Sequence, residues 1–158
     1  NIPVAVYAYV AAKDKKEMEK EAEEFYKAAS PYKPTYYWLD VEEKTMKDMN
    51  AGVEAFRAKL QALGAKNIGI YIGTYFMEEH SISTDKFTAL WIPTYGFDDG
   101  YYNAAPDTNT EYDLHQYTSQ GQLNGFSHYL DLNQIAPTQD QEAIYRKLFK
   151  VQKDNSSS

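Results

Sequence analysis

The chain has no cysteine. That excludes a disulfide framework, a thiol nucleophile and a thiolate metal site. Basic residues are in the minority, with a net charge of −7 and a pI near 4.9. Nucleic acid is not expected as a partner, because phosphates demand a basic patch. The same deficit argues against electrostatic binding to anionic membranes. No apolar run approaches the ~20 residues of a membrane span, so no membrane insertion is expected. Lys and Arg are absent before the first apolar run, so no signal peptide is read at the start. Gly-rich phosphate loops and nucleophile elbows are missing. His80, His115 and His128 lack the spacing of a zinc site, and Asp98-Asp99-Gly100 reads as a turn without the other positions of a calcium loop. The expectation is therefore no metal and no cofactor.

What is present is tyrosine. Fifteen of 158 residues are Tyr, enough to ask whether they do more than fill a core. A phenol ring has an apolar face for stacking on a sugar and a hydroxyl for its edge. A Tyr-rich core and surface is the plainer alternative. The length allows one domain with a sizeable core.

The chain is organised around Tyr36-Tyr37-Trp38-Leu39-Asp40-Val41-Glu42-Glu43. Large apolar residues run straight into carboxylates. The first part reads as a strand buried on both faces, of the kind found in parallel sheets covered by helices. The acids then fall at its C-terminal end, where β/α barrels place their catalytic groups. Asp40 and Glu42 are two residues apart, so their side chains share one side of the strand, about 7 Å apart at the backbone. Such a pair suits acid and charge-stabilising work if the environment separates the two pKa values. Otherwise the acids cap the next helix. Glu43 is expected to open that helix.

Residues 1–10 read as a strand. Residues 14–29 read as a helix, with Asp14 as cap, Glu17 three residues on and an apolar stripe through Met18, Ala22, Phe25 and Ala29. A second helix is predicted over 45–63, ended by Gly64. Strands are predicted over 67–72 and 89–93, with a short helical piece at 83–87 between them. A Gly-, Asp-, Asn- and Tyr-rich loop covers 96–109. Residues 111–118 and 128–132 read as an antiparallel pair. A last helix covers about 139–149, and the polar tail is 153–158. Strands alternating with helices imply an α/β fold with parallel pairing. Tyr7 and Tyr9 fall on the first strand, Tyr71, Trp91 and Tyr117 each on another strand or strand end, and together they would line one rim around the acids. Gln116 and His115 flank Tyr117 and alternate between faces. Asp131, at the tip of the last strand, could join the acids if the sheet curls.

Five motifs occur in one order: Leu39-Asp40-Val41-Glu42, Ile70-Tyr71-Ile72-Gly73, Leu90-Trp91-Ile92-Pro93, His115-Gln116-Tyr117-Thr118 and Tyr129-Leu130-Asp131-Leu132-Asn133. The series resembles the glycoside hydrolase family 25 lysozymes of bacterial autolysins and phage endolysins. The leading IPVAVYAY is similar to that family's third strand.

The resemblance implies an irregular TIM-like (β/α) barrel and hydrolysis of the β-1,4 bond between N-acetylmuramic acid and N-acetylglucosamine in peptidoglycan. It implies Glu42 as general acid, Asp40 as stabiliser of the cationic or oxazolinium intermediate, and Asp131 in the same acidic cleft. Tyr7, Tyr71, Trp91 and Gln116 would border the sugar. The route stays open between double displacement, inversion and attack by the substrate's own N-acetyl group. The implied place of action is the cell wall, reached from outside or from a phage-infected host cytoplasm.

The family's opening D-x-S-x-x-Q strand and second strand are not matched. The expectation is an incomplete barrel lacking roughly its first two β/α units, with residues 1–152 as the C-terminal two-thirds of the catalytic domain. The expected partners are peptidoglycan glycan strands and whatever covers raw sheet edges: the missing N-terminal segment, the full-length enzyme or a second copy. A non-catalytic glycan-binding or assembly module is the competing expectation.

Overall fold

The alternation read along residues 36–43 becomes the two faces of one sheet. The computed structural model describes residues 5–95, 97–102, 104–106, 108, 110–121, 130–136 and 139–149. Its strands are β1 (Ala5–Tyr9), β2 (Tyr36–Val41), β3 (Ile68–Ile72), β4 (Ala89–Pro93), β5 (Leu114–Gly121) and β6 (Leu130–Ile135). Its helices are α1 (Lys15–Ala29), α2 (Met49–Leu63), α3 (Thr74–Glu79) and α4 (Gln141–Phe149), with a 3-10 turn at Ser30–Tyr32. The strands lie in sequence order across the sheet. β1 to β5 pair in parallel and β6 pairs antiparallel to β5. The fold is therefore mixed α/β, as expected. Among the described residues the sheet is not closed: β1 and β6 are its edges.

Each face has its own core. Leu39, Val41, Ile68, Ile70, Ile72, Leu90 and Ile92 join Met18 and Ala22 of α1 and Val53, Phe56 and Leu60 of α2. Tyr36, Trp38, Ala89 and Leu114 point the other way and meet Ile144 and Leu148 of α4. β2 is covered on both sides, hence its unbroken apolar run.

The helix boundaries follow their caps. Asp14 accepts the Glu17 N–H at 2.8 Å, while Glu17 reaches back to the Lys13 N–H at 2.9 Å. This closes the first turn of α1 as a capping box does, displaced by one residue. α2 starts at Met49 and not at Thr45, because Asp48 takes the Ala51 N–H at 3.0 Å and caps there. Gly64 ends it at φ +124°, a conformation that side chains resist. The helical piece expected at 83–87 is absent. There Ser83 donates its N–H to Asn50 and its hydroxyl to Asp85, so local side chains compete with a helical ladder. The short helix comes earlier, as α3, directly after Gly73 and anchored by buried Met77. No described helix is long and apolar enough to cross a membrane.

Candidate active site

Parallel pairing sets residues from neighbouring strands side by side. Tyr9 pairs with Asp40, Asp40 with Tyr71, and Tyr71 with Trp91, forming one row across β1 to β4. The row below it holds Tyr7, Trp38, Gly69 and Ala89. Paired residues share a face, so both rows present their side chains together. Above the covered Tyr36–Trp38 level they open into a cleft of about 260 Å³. It is lined by Tyr7, Trp38, Asp40, Glu42, Tyr71, Trp91 and Gln116.

The floor is aromatic. Trp38 stacks on Tyr36 with ring centres 5.4 Å apart and meets Trp91 edge-on at 5.5 Å. Tyr71 meets Trp91 edge-on at 5.0 Å. Trp38 lies across β3 because residue 69 is glycine: a Cβ there would sit 2.4 Å from the indole ring. The Trp91 indole N–H donates to Asn133 Oδ1 at 2.8 Å. The Tyr71 hydroxyl donates to Gln116 Oε1. Burial, and then hydrogen bonding with Tyr95, hold the Tyr71 phenol well above its ordinary range. It stays a neutral donor at any working pH.

The two acids sit differently. Asp40 is half-buried, and its Oδ1 is fully covered with no hydrogen-bond partner. Burial first, and the Glu42 charge second, push its carboxyl from 3.8 up to about 6. Glu42, just beyond the strand, is exposed at the lip. A carboxylate oxygen covered without a partner costs stability when charged, and this is why Asp40 holds its proton more tightly.

Tyr7, Tyr71, Trp91 and Gln116 all line the cleft with Asp40 and Glu42. Tyr9 shares the acidic row but its hydroxyl donates to Glu43, which pushes its phenol up to about 12. Glu43 therefore braces β1 and does not open a helix. Tyr117 faces a separate concavity with Tyr101, Tyr102 and Gln134. The strand alternates at Gln116, and a register shift between Gln116 and Thr118 follows. His115 is buried on that other side, its Nε2 2.6 Å from the Thr94 carbonyl, and burial pushes its imidazole down. Asp131 stands on β6, the partner of the strand carrying Gln116, but its side chain lies outside the described residues. Trp38 was missed as a lining residue. Its position two before Asp40 was the available signal.

The model of a family described as "Glycosyl hydrolases family 25" matches residues 1–126. Among curated proteins, none matches the sequence. Among solved structures, the chain is similar to a glycosyl hydrolase 25 of Streptococcus pneumoniae, described as a virulence factor participating in host cell invasion. Identity is 65% and the TM-score 0.91, covering 93% of this chain and 65% of that one. The chain therefore spans less than two thirds of that relative. It is also similar to an endolysin catalytic domain from a bacteriophage of Listeria monocytogenes, with 26% identity and a TM-score of 0.79, covering 92% of this chain and 71% of that one. A modular autolysin of Streptococcus pneumoniae in complex with a synthetic peptidoglycan ligand shares the fold alone, with 17% identity and a TM-score of 0.62, covering 83% of this chain and 33% of that one.

Proposed function

The chain belongs to glycosyl hydrolase family 25, and from that premise we propose that it is a peptidoglycan hydrolase acting at the cell wall. The bond we assign is the β-1,4 link from N-acetylmuramic acid to N-acetylglucosamine. The similar endolysin catalytic domain supports the substrate class. The observation that carries the reading is Asp40 and Glu42 on one side of an aromatic-floored cleft, one covered and one at the lip.

Glu42, reachable from outside, is the general acid that protonates the departing oxygen. The neighbouring N-acetyl oxygen attacks the anomeric carbon as the C–O bond breaks, giving an oxazolinium. The Asp40 carboxylate, which lines the cleft, takes the hydrogen bond of its N–H and steadies its charge. Water then opens the ring, giving its proton to Glu42. With its carboxyl near 6, Asp40 is mostly ionised at neutral pH and loses that charge below it. We expect kcat/KM to fall on an acid limb near pH 6, checked by a pH–rate profile on solubilised wall fragments. A profile flat from pH 7 to 5 would remove Asp40 from this role. Trp38, Trp91 and Tyr71 give the sugar its stacking surface, and Gln116 a polar edge.

Glu42→Gln should lower wall hydrolysis by at least about a hundredfold with circular dichroism unchanged. Reduction of the digest followed by acid hydrolysis identifies the new chain ends. Reduced muramic acid supports the bond assigned here, and reduced glucosamine refutes it. Tyr7, 75% exposed on edge strand β1, leaves one side of the cleft open. That observation favours the second reading, a glycan-binding module. It predicts binding of wall glycan by the parent chain with no new reducing ends.

A further inference from the structure

Beside the cleft lies a second concavity of about 590 Å³, lined by Gly100, Tyr101, Tyr102, Tyr117, Asn133 and Gln134. We propose that it is an extension subsite that holds a sugar of the same glycan strand beyond the residues gripped in the cleft. The inference rests on the glycan-hydrolase reading above and deepens it.

The two concavities share a wall. Asn133 lines the second, and its Oδ1 accepts the indole N–H of Trp91, which lines the first. Asn133 also pairs across β5 and β6 with Gln116, another wall of the cleft. The two concavities therefore adjoin at Asn133.

The chemistry suits a neutral sugar. The described lining holds three phenol rings and two carboxamides, and no ionic side chain. Rings supply stacking faces and amides supply both donors and acceptors for hydroxyl and acetamido groups. A charged ligand finds no counter-ion among these residues.

The platform is also built in advance. Asp98 accepts the Thr118 hydroxyl at 2.5 Å, the Ser119 N–H at 2.7 Å and the Ser119 hydroxyl. The Gly100 N–H donates to Thr118 Oγ1 at 3.0 Å, and Gly100 sits at φ +94°, where glycine is favoured. Tyr102 packs edge-on against His115 at 5.2 Å and tilted against Tyr117 at 5.8 Å. The loop is thus pinned to β5 while Tyr101 stays 74% exposed. Binding to a fixed ring loses less ordering entropy than binding to a loose one.

The test is calorimetric titration with peptide-free β-1,4-linked N-acetylglucosamine dimers and hexamers, on the parent chain, Tyr101→Ala and Gln134→Ala. Tyr101 and Gln134 are exposed, so both variants should fold as the parent does. The expected result is hexamer binding weakened about five- to tenfold, with dimer binding unchanged. Unchanged hexamer binding overturns the subsite. So does equal weakening of dimer and hexamer. A parent chain that binds neither oligomer overturns the subsite, while the glycan-hydrolase reading stands or falls separately on the reducing ends of the wall digest. A parent that binds the dimer, with variants that leave the hexamer untouched, sinks the subsite alone.

Discussion

Asp40 charges the fold for a group that the chemistry wants. In the unfolded chain its carboxyl has an ordinary pKa, and in the folded chain it is pushed up to about 6, chiefly by burial. The folded state therefore binds the proton more tightly. The contribution of this group to stability is present in full below about pH 4, is lost as pH rises to about 6, and stays lost above it. Asp40→Asn removes the penalty. At pH 8 the variant should be more stable than the parent by on the order of 1–2 kcal/mol, after allowing for the solvent that reaches its open side. At pH 3.5 the two should match. Urea titrations at the two pH values check this, and a gain of equal size at both would contradict it. Hydrolysis should be lost in the same variant, a trade of activity for stability at one residue.

Among the elements, β2 and β3 depend on each other through one missing side chain. Gly69→Ala would put a methyl 2.4 Å from the Trp38 ring, which is held between Tyr36 and Trp91. We expect a loss of about 1–3 kcal/mol, read by thermal or denaturant unfolding, with the cleft floor displaced. A neutral outcome would mean that the indole has room to move. β2 and β4 were legible because strands covered on both faces leave continuous apolar runs, and 89–93 was read to the residue. α1 was legible from its cap. The start of α2 was not, since Met46 continues the apolar spacing although Asp48 sets the boundary. α3 has too few residues for a stripe to show. In the cleft, Tyr7, Asp40, Glu42, Tyr71 and Trp91 followed from their places at strand ends, and Gln116 from the family resemblance. Tyr117 did not, because one residue's shift along a strand exchanges faces. The partnership of Tyr9 with Glu43 joins residues far apart in sequence, and no local pattern announces it.

At the scale of the molecule, α4 closes the end of the sheet face that the cleft leaves uncovered. Ile144 and Leu148 supply its apolar contacts, and Lys147 pins it to buried Asp113 at 2.9 Å. The other oxygen of Asp113 accepts the Leu90 N–H at 2.9 Å, so helix and strand meet at one carboxylate. Lys147→Met should cost about 1–3 kcal/mol by leaving that charge buried and unpaired, discounted for the partly exposed lysine. Adding Asp113→Asn should recover most of the loss, because the amide oxygen still serves Leu90 without a charge. A double-mutant cycle measures the coupling, and purely additive losses would show that the pair does not hold α4. The sequence contains two tryptophans, Trp38 and Trp91, and both stand in the cleft wall. Indole fluorescence from this protein therefore originates entirely at the site. Its wavelength and quenching offer a label-free optical reporter of occupancy, undiluted by emission from elsewhere.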